Sequence, residues 1–210
     1  MSMAKLNNFR KGEMVFKAGD SGKNVYILES GRAKICQLSA EGKESILWFC
    51  LPGEIFGLAE VLRGSTREVF AQVCTNSSIY SIPRDTFNTF MKYHPDTALQ
   101  VIALLSCRLR TIGHMLMNLA LDDATSRIIK LLLRLSVPSM RKQDTDICLE
   151  IPLTHQEISD MVGTSRQTVT TVLGDLRKKG TLKVINHRIH IQNGQQLYTM
   201  VEDLAISDTD

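Results

Sequence analysis

The sequence predicts an α+β protein whose first half is built of strands and whose second half is mostly helical. Short apolar runs separated by turn residues fill residues 9–92, which is typical of a β-sandwich or jelly roll. From residue 96 onward, apolar side chains recur every three or four positions, as they do in a long helix. Between residues 153 and 191, two short helical segments joined at a glycine precede a predicted hairpin.

Length and composition indicate an ordinary globular chain. The 210 residues suffice for two modest domains, with a hydrophobic fraction of 43% and a charged fraction of 22%. No apolar run is long enough to cross a bilayer, and the N-terminus lacks the apolar core of a signal peptide. We therefore expect a cytoplasmic protein with no membrane partner.

The cysteines are scattered along the chain. None of them stands at a metal-ligand spacing from another cysteine or from a histidine, and thiolates are nowhere clustered. We expect neither a metal site nor an iron–sulfur cluster. A thiol switch at Cys36, Cys50, Cys74 or Cys107 stays open as an alternative.

The strands of the first half are predicted from the alternation of apolar residues. Turn signals such as Gly19-Asp20 and Pro52-Gly53 separate the runs. Near residues 56–63 the alternation fails, and a short helix between strands is expected there. The predicted strands lie at residues 15–16, 25–28, 33–38, 46–51, 69–73 and 79–82.

The long helix carries a seam of apolar residues spaced alternately by three and four positions. A heptad seam of this length predicts a coiled coil between two copies of the chain, which would make the protein a homodimer. A helix that lies on its own β-domain is the simpler alternative. The seam consists of Ile102, Leu105, Leu109, Ile112, Leu116 and Leu119.

The end of the long helix is predicted at residues 121–123, where Asp123 would act as a hinge and cap the next helix. That helix is expected over residues 126–136 and should end at Pro138. A polar loop over 137–145 and a strand over 147–151 would follow. Residues 196–210 are expected to form a frayed acidic helix at the end of the chain.

The two short helices that follow are predicted from their caps. Thr154 is a favourable N-cap, and Glu157 three residues later completes a capping box. Gly163 can adopt the left-handed backbone conformation that ends the first helix. Thr164 or Ser165 would then cap the second helix, which makes the segment a helix-turn-helix.

The second helix, expected at 164–179, has an unusual outer face. Threonine is a mediocre helix former, so propensity does not explain a cluster of threonines in its first two turns. Short hydroxyls beside an arginine and a glutamine suit the phosphates and base edges of DNA, while the alternative is a merely solvated face. The predicted DNA-binding residues are Gln156, Thr164, Ser165, Arg166, Gln167, Thr168, Thr170, Thr171 and Lys183.

Charge and a hairpin support the same interpretation. Residues 163–195 hold six basic residues against one acidic residue, in a chain whose net charge is only +3. Such a localised excess suits a polyanion, here double-stranded DNA. Residues 182–185 and 188–191 predict a hairpin that turns at Asn186-His187 and would form a wing beside the helix-turn-helix.

The order of a β-barrel, a long helix and a winged helix-turn-helix resembles the cyclic-AMP receptor protein/fumarate–nitrate regulator (Crp/Fnr) superfamily of bacterial transcription regulators. The resemblance covers about residues 10–195. It rests on LTHQEISDMVGTSRQTVTTVL from residue 153, NLALDDATSRI from residue 118, and YILESGRAKI with GEIFG in the first half. The segments GTSRQTV and VINHRIHI look most like the haem-based CO sensors and the cyanobacterial nitrogen regulators.

The resemblance implies four parts and their partners. A β jelly-roll (cyclic-nucleotide-binding-like) sensor domain would occupy residues 1–94, a dimerisation helix 95–121, a winged helix-turn-helix 122–195 and a tail 196–210. Two-fold symmetry would place two recognition helices about 34 Å apart, on successive turns of a palindromic promoter site. RNA polymerase is an expected partner.

The resemblance also assigns individual DNA contacts. Arg166 falls on the family's base-reading arginine, whose fork matches guanine. Gln167 and Thr171 stand where the family has a glutamate and a second arginine, so the base pair beside that guanine should differ. The expected phosphate contacts are Gln156, Ser165, Thr168 and Lys183.

The effector pocket departs from that of the family's cyclic-AMP binders. Leu58 follows Gly57 where those proteins have a glutamate, Glu68 follows Arg67 where they have a serine, and Ile112-Gly113 replaces a Thr-Ser pair. Each lost polar partner would cost a nucleotide about 1–3 kcal/mol. We therefore expect an effector other than cyclic AMP, or none. The pocket would consist of Gly57, Leu58, Ala59, Arg67, Glu68, Arg108, Ile112 and Gly113.

Haem is not expected either, because Gly57 and Ala59 stand where the CO sensors have a cysteine and a histidine. Two other classes of protein are alternatives to a DNA-binding regulator. A small-ligand or redox sensor that acts through protein contacts would leave the polar face around Arg166 unexplained. An enzyme is not expected, because the sequence shows no nucleophile–base pair, metal-ligand spacing or phosphate-binding glycine loop.

Overall fold

The computed structural model describes residues 4–140, 147–149, 151–185, 188–194 and 196–200. Backbone contacts divide the chain into two compact units, and the division falls between Arg110 and Thr111, inside the long helix. No helix among the described residues is long and apolar enough to cross a membrane.

The first unit contains two four-stranded antiparallel sheets. One sheet has the strand order β1-β8-β3-β6 and the other has the order β2-β7-β4-β5. Neighbouring strands are therefore mostly distant in sequence, as expected for a jelly roll. The strands are β1 (Lys5–Phe9), β2 (Met14–Phe16), β3 (Asn24–Ser30), β4 (Ala33–Leu38), β5 (Glu44–Cys50), β6 (Ile55–Phe56), β7 (Phe70–Val73) and β8 (Ser77–Pro83).

The main core of the roll is formed by inward residues from both sheets. Alternate residues of a strand point to opposite faces, so every strand except β1 contributes one or two side chains to this core. The rings of Phe16, Tyr26 and Phe56 lie with their centroids 5.4 to 6.3 Å apart. The buried cluster consists of Phe16, Leu28, Ala33, Ile35, Cys50, Phe56, Ala71, Val73 and Ile79.

Three helices follow or interrupt the strands: α1 (Ala59–Arg63), α2 (Arg84–Tyr93) and α3 (Pro95–Leu121). A second buried cluster of Val25, Leu58, Val61 and Phe87 joins α1 and α2 to the roll. Val101 and Leu105, near the start of α3, pack against this cluster.

The second unit holds α4 (Ala124–Met140), α5 (His155–Val162) and α6 (Arg166–Lys178). It also holds a small antiparallel sheet with the order β10-β11-β9, formed by β9 (Ile147–Cys148), β10 (Leu182–Ile185) and β11 (Arg188–Ile191). The apolar face of each helix is buried. The core residues include Ile128, Leu132, Ile158, Val169, Leu173, Leu182 and Ile191.

Several predicted boundaries in the first unit are wrong. β1 was missed because its sequence, KLNNF, is mostly polar, and it is held by pairing with β8. β6 was missed because it has only two residues. The segment of α2 was predicted as part of an all-β region, yet its buried Phe87 and partly buried Met91 give it an apolar face at helical spacing.

In the second unit, the prediction that Pro138 ends the helix is wrong, because α4 continues to Met140. A proline removes one backbone donor and crowds the carbonyl four residues earlier, but only two residues of α4 follow Pro138, so little of the helix is affected. The predicted strand over 147–151 is also too long, since β9 stops at Cys148. Residues 141–146, the hairpin turn at 186–187 and residues 201–210 lie outside the described residues.

Candidate nucleic-acid interface and sensor site

The turn between α5 and α6 is fixed by local hydrogen bonds. The Thr154 hydroxyl accepts from the Glu157 N–H at 3.1 Å, and the Thr154 N–H donates to the Glu157 carboxylate at 2.8 Å. This is the predicted capping box. Gly163 ends α5 with a φ of 66°, a left-handed conformation that glycine adopts without steric cost. Ser165 then caps α6 by accepting from the Thr168 N–H at 3.0 Å.

Helix α6 has one buried face and one exposed face. Val169, Val172, Leu173 and Leu176 are buried, so the helix can be anchored only on that side. We define the outer face of α6 as Arg166, Gln167, Thr170 and Thr171, all of which are exposed. Among the other predicted DNA-binding residues, Gln156 and Ser165 are exposed, and Thr164, Thr168 and Lys183 are half-buried.

On the outer face of α6, the two threonine hydroxyls form hydrogen bonds within the helix, whereas the longer side chains do not. Thr170 donates to the Arg166 carbonyl at 2.9 Å, and Thr171 donates to the Gln167 carbonyl at 3.2 Å. The side chains of Arg166 and Gln167 make no hydrogen bond or ion pair with any described residue. A guanidinium fork and a side-chain amide are therefore left to bind an external partner.

His155 is a member of this surface that the sequence analysis missed. Its Nδ1 lies 2.8 Å from the Thr170 hydroxyl oxygen. The Thr170 hydroxyl also donates to the Arg166 carbonyl, so it links His155 of α5 to the first residue of α6. No sequence signal identifies this contact, because it depends on how the Gly163 turn sets one helix against the other.

In the first unit, a buried ion pair stands at the predicted effector pocket. Arg67 is 2% exposed, and its Nη1 donates to the Glu60 carboxylate at 2.8 Å and to the Gly57 carbonyl at 2.9 Å. Nη2 donates to the Asn24 carbonyl. The guanidinium carbon also lies 4.3 Å from the centroid of the Phe16 ring. The charge of Arg67 is thus neutralised inside the chain.

Glu60 is the second residue that the sequence analysis missed. The sequence placed the negative charge beside Arg67 on Glu68, but the Glu68 side chain is exposed while Arg67 is buried. Arg67 and Glu68 lie between the isolated bridge at Thr66 and the start of β7, where the chain bends, and only the Arg67 side chain is buried. The carboxylate that pairs with Arg67 belongs instead to Glu60, the second residue of α1.

The other predicted pocket residues have varied environments. Leu58 is buried in the second core cluster, whereas Ala59 is exposed. A Cβ at Gly57 would lie 3.1 Å from both Arg67 and Tyr26, and its φ of 72° also favours glycine. Arg108 is half-buried, donates to the Ile55 carbonyl at 2.7 Å, and lies over the Trp48 ring.

Ile112 and Gly113 lie on the exposed part of α3, in the second unit. The predicted seam of α3 is exposed at Ile102, Leu109, Leu116 and Leu119. Leu105 differs, since it packs on the chain's own second core cluster. The uncovered face of α3 therefore follows the predicted seam at every position except Leu105.

Asp123 directly precedes α4 and accepts from the Ser126 N–H at 2.7 Å. Partial burial alone would raise the pKa of Asp123, but hydrogen bonds from Ser126 and Thr125 and the charge of Arg127 outweigh it. The pKa is consequently held below its ordinary value. This residue therefore caps α4 as an ionised carboxylate.

The cysteines differ in chemical character. Burial raises the pKa of the Cys50 thiol to about 12, so it stays protonated at neutral pH. Cys36 is also buried, whereas Cys107 is exposed on α3. Among the described residues, no group of three or more His, Cys, Asp or Glu side chains is arranged to hold a metal ion.

Comparison with known proteins identifies the class. The cyclic nucleotide-binding domain family matches residues 6–94, and the Crp-like helix-turn-helix domain family matches residues 126–200. A cAMP-activated global transcriptional regulator of Mycobacterium tuberculosis is 28% identical over 190 residues, covering 90% of this chain and 85% of that protein. The global nitrogen regulator of Synechococcus elongatus is also 28% identical, with coverages of 90% and 86%.

Solved structures agree with this class. A mutant of CooA from Carboxydothermus hydrogenoformans superposes with a TM-score of 0.82 at 25% identity, covering 95% of this chain and 88% of that one. The chain belongs to the Crp/Fnr superfamily, and the predicted fold class is confirmed. It is a transcription regulator with a helix-turn-helix DNA-binding domain, and the family is not one of enzymes.

Proposed function

We propose that this regulator acts as a homodimer on a palindromic promoter site and that its effector is not a cyclic nucleotide. The observation that carries the proposal is the outer face of α6. Arg166 and Gln167 stand exposed and unpaired among the described residues at the start of a well-capped helix. A side chain without an internal hydrogen bond or ion pair is available for base edges in a major groove.

Base and phosphate contacts follow from chemistry and position. Arg166 can bind O6 and N7 of guanine with two donors, and Gln167 can bind adenine in the same bidentate manner. The proposed phosphate contacts are Gln156 on α5, Ser165 and Thr168 at the start of α6, and Lys183 on β10. Thr164, Thr170 and Thr171 complete the proposed contact set. RNA polymerase is the proposed protein partner.

The dimer is proposed from the uncovered face of α3. Ile102, Leu109 and Leu116 recur every seven residues and are 58%, 73% and 66% exposed. Four residues after each of them stands a small exposed residue, namely Ser106, Gly113 or Ala120. A heptad of alternating large and small residues suits a second helix packed closely alongside, and the apolar residues would gain about 25 cal/mol per Å² buried.

The proposed roles of the segments follow the parts expected from the sequence. Residues 1–94 would sense an effector, 95–121 would form the dimer helix, and 122–195 would bind DNA, with Asp123 as the hinge. An effector can shift the regulator only by binding its two states with different affinities. One relative is described as cAMP-activated, but here Leu58 is a core residue and Arg67 is paired with Glu60.

The test is selection of bound sequences from a random duplex pool with the full-length protein. We expect an inverted repeat whose half-site centres lie about 10 bp apart, bound by two chains per duplex. Binding should weaken steeply with added salt. Failure to enrich any sequence, together with salt-independent duplex binding, would refute the proposal and favour a sensor that acts through protein contacts.

A further inference from the structure

The roll contains an ionic site that the proposed function leaves unused. Glu60 and Arg67, 6% and 2% exposed, are the buried charged residues among the described residues of the first unit. Burying two charges is costly unless they are closely paired. Their position in a domain of the cyclic nucleotide-binding family raises the question of what this buried cation could bind.

The geometry around Arg67 is that of a complete anion site. The guanidinium carbon lies 4.3 Å from the Phe16 ring centroid and 5.7 Å from that of Tyr26. Nη1 donates to an oxygen of Glu60 at 2.8 Å, as a guanidinium does to a phosphate oxygen. Nε is buried with no acceptor among the described residues, so the guanidinium keeps donor capacity that its present partners do not use.

We propose that Glu60 is an internal counter-anion that occupies the place of a phosphate on Arg67 and so excludes phosphate-bearing ligands from the roll. The proposal deepens the proposed function, because it rests on the first unit being the sensor. A nucleotide phosphate would have to displace a buried carboxylate from the same donor. Two anions cannot share Nη1 in a buried space without strong repulsion.

Glu60 is therefore the residue that determines ligand class at this site. With its carboxylate present, the site is neutral and rejects anions; without it, Arg67 becomes a buried cation that needs one. Glu68 is the matched comparison, because it is a carboxylate next to Arg67 in sequence whose side chain is exposed. Changing Glu68 should leave the specificity unchanged.

The experiment uses the full-length protein and two probes, cyclic AMP and inorganic phosphate, with chloride at equal ionic strength as the reference. Calorimetric titration and thermal unfolding are measured for the wild type, Glu60→Ala, Glu60→Gln and Glu68→Gln. We expect no saturable binding by the wild type or Glu68→Gln. Glu60→Ala should bind at least one probe tenfold or more tightly and gain thermal stability with it, while Glu60→Gln should gain less.

A double variant, Glu60→Ala with Arg67→Leu, should lose the gained binding, which places the anion on the guanidinium. Saturable binding of cyclic AMP by the wild type would overturn the proposal even if neither Glu60 variant folded. Folded Glu60 variants that bind neither probe would overturn it as well. Duplex binding is measured in the same preparations, so a failure of DNA binding would be recognised separately.

Discussion

Arg67 and Glu60 depend on each other at the level of single residues. Both side chains are almost fully withdrawn from solvent, and the Arg67 Nη1 donates to the Glu60 carboxylate at 2.8 Å. Removing one partner of such a pair leaves the other charge buried and uncompensated. Substituting either residue alone should therefore destabilise the fold strongly, although the intact pair contributes little net stability.

We expect Glu60→Ala to lower the free energy of unfolding by about 3–5 kcal/mol. Glu68→Ala should change it by no more than about 0.5 kcal/mol, because that side chain is exposed. Urea unfolding at one fixed protein concentration, followed by circular dichroism, measures both. Equal effects of the two substitutions would show that Glu60 has no special role in the buried pair.

Arg166 should act on sequence preference as well as on affinity. Arg166→Ala is expected to cost about 1–3 kcal/mol of binding free energy per contact and to relax the preference at one position of each half-site. Competition gel shifts with single-base variants of the selected site measure this. Arg177, at the end of α6, is the control, since Arg177→Ala should affect every sequence alike. Uniform weakening by Arg166→Ala would mean that it contacts only the backbone of DNA.

At the same scale, the sequence predicted the caps well and the charge pairing poorly. Thr154, Glu157 and Gly163 could be predicted because caps depend on residues within a few positions of one another. The cap of α6 was narrowed to Thr164 or Ser165, and it is Ser165. The Glu60 pairing and the His155 contact depend on the directions of separate elements, which one sequence does not specify.

At the scale of elements, α3 should determine whether the protein is a dimer. Leu109 is 73% exposed and makes up the middle of the uncovered face. Leu109→Glu should convert the protein to a monomer, because a buried carboxylate would have no partner at the seam. Analytical ultracentrifugation measures the change. Leu38→Glu, at an exposed leucine of β4, is the control and should leave the mass unchanged.

The junction between α3 and α4 should depend on pH through Asp123. Its folded pKa lies below the ordinary value of 3.8, so the ionised cap stabilises the fold above that pH and is lost as pH falls through the folded pKa. At pH 7, Asp123→Ala should cost about 1 kcal/mol. The difference from the wild type should shrink below pH 4 in parallel urea titrations. A difference that stays constant to pH 3 would exclude this role.

The elements that were misjudged from the sequence share one physical cause. β1 and β6 are held by neighbouring strands, and their own residues show little or no alternation. α4 passes Pro138 although the local preference is to stop. In contrast, the hairpin of β10 and β11 was located correctly, because its alternation and its short turn are local signals.

At the scale of the whole molecule, DNA binding should be strongly ionic. Lys183 on β10 is a proposed phosphate contact, and Lys183→Ala should weaken binding to every sequence while lowering the salt slope by about one per protomer. Fluorescence anisotropy over a range of salt concentrations measures the slope. Lys92, on α2 of the first unit, is the control, and Lys92→Ala should leave the slope unchanged.

The fold class could be inferred from the sequence because the period of the apolar pattern changes from strand to helix at residue 96, and the family from the motifs that begin at residues 118 and 153. The recognition helix could be located because its caps and its apolar face are local. The effector site could not be resolved in the same way. Its chemistry depends on the buried pair of Glu60 and Arg67, which three-dimensional packing brings together.

The uncovered face of α3 also bears on gene dosage. A newly made chain carries an apolar strip through Leu109 and Leu116 that a second chain is proposed to cover. At concentrations below the pairing constant, the number of paired chains rises with the square of the number synthesised. Doubling expression would then raise the operator-competent population about fourfold. Because pairing through the exposed strip is needed first, promoter occupancy would rise more steeply with expression than the amount of protein does.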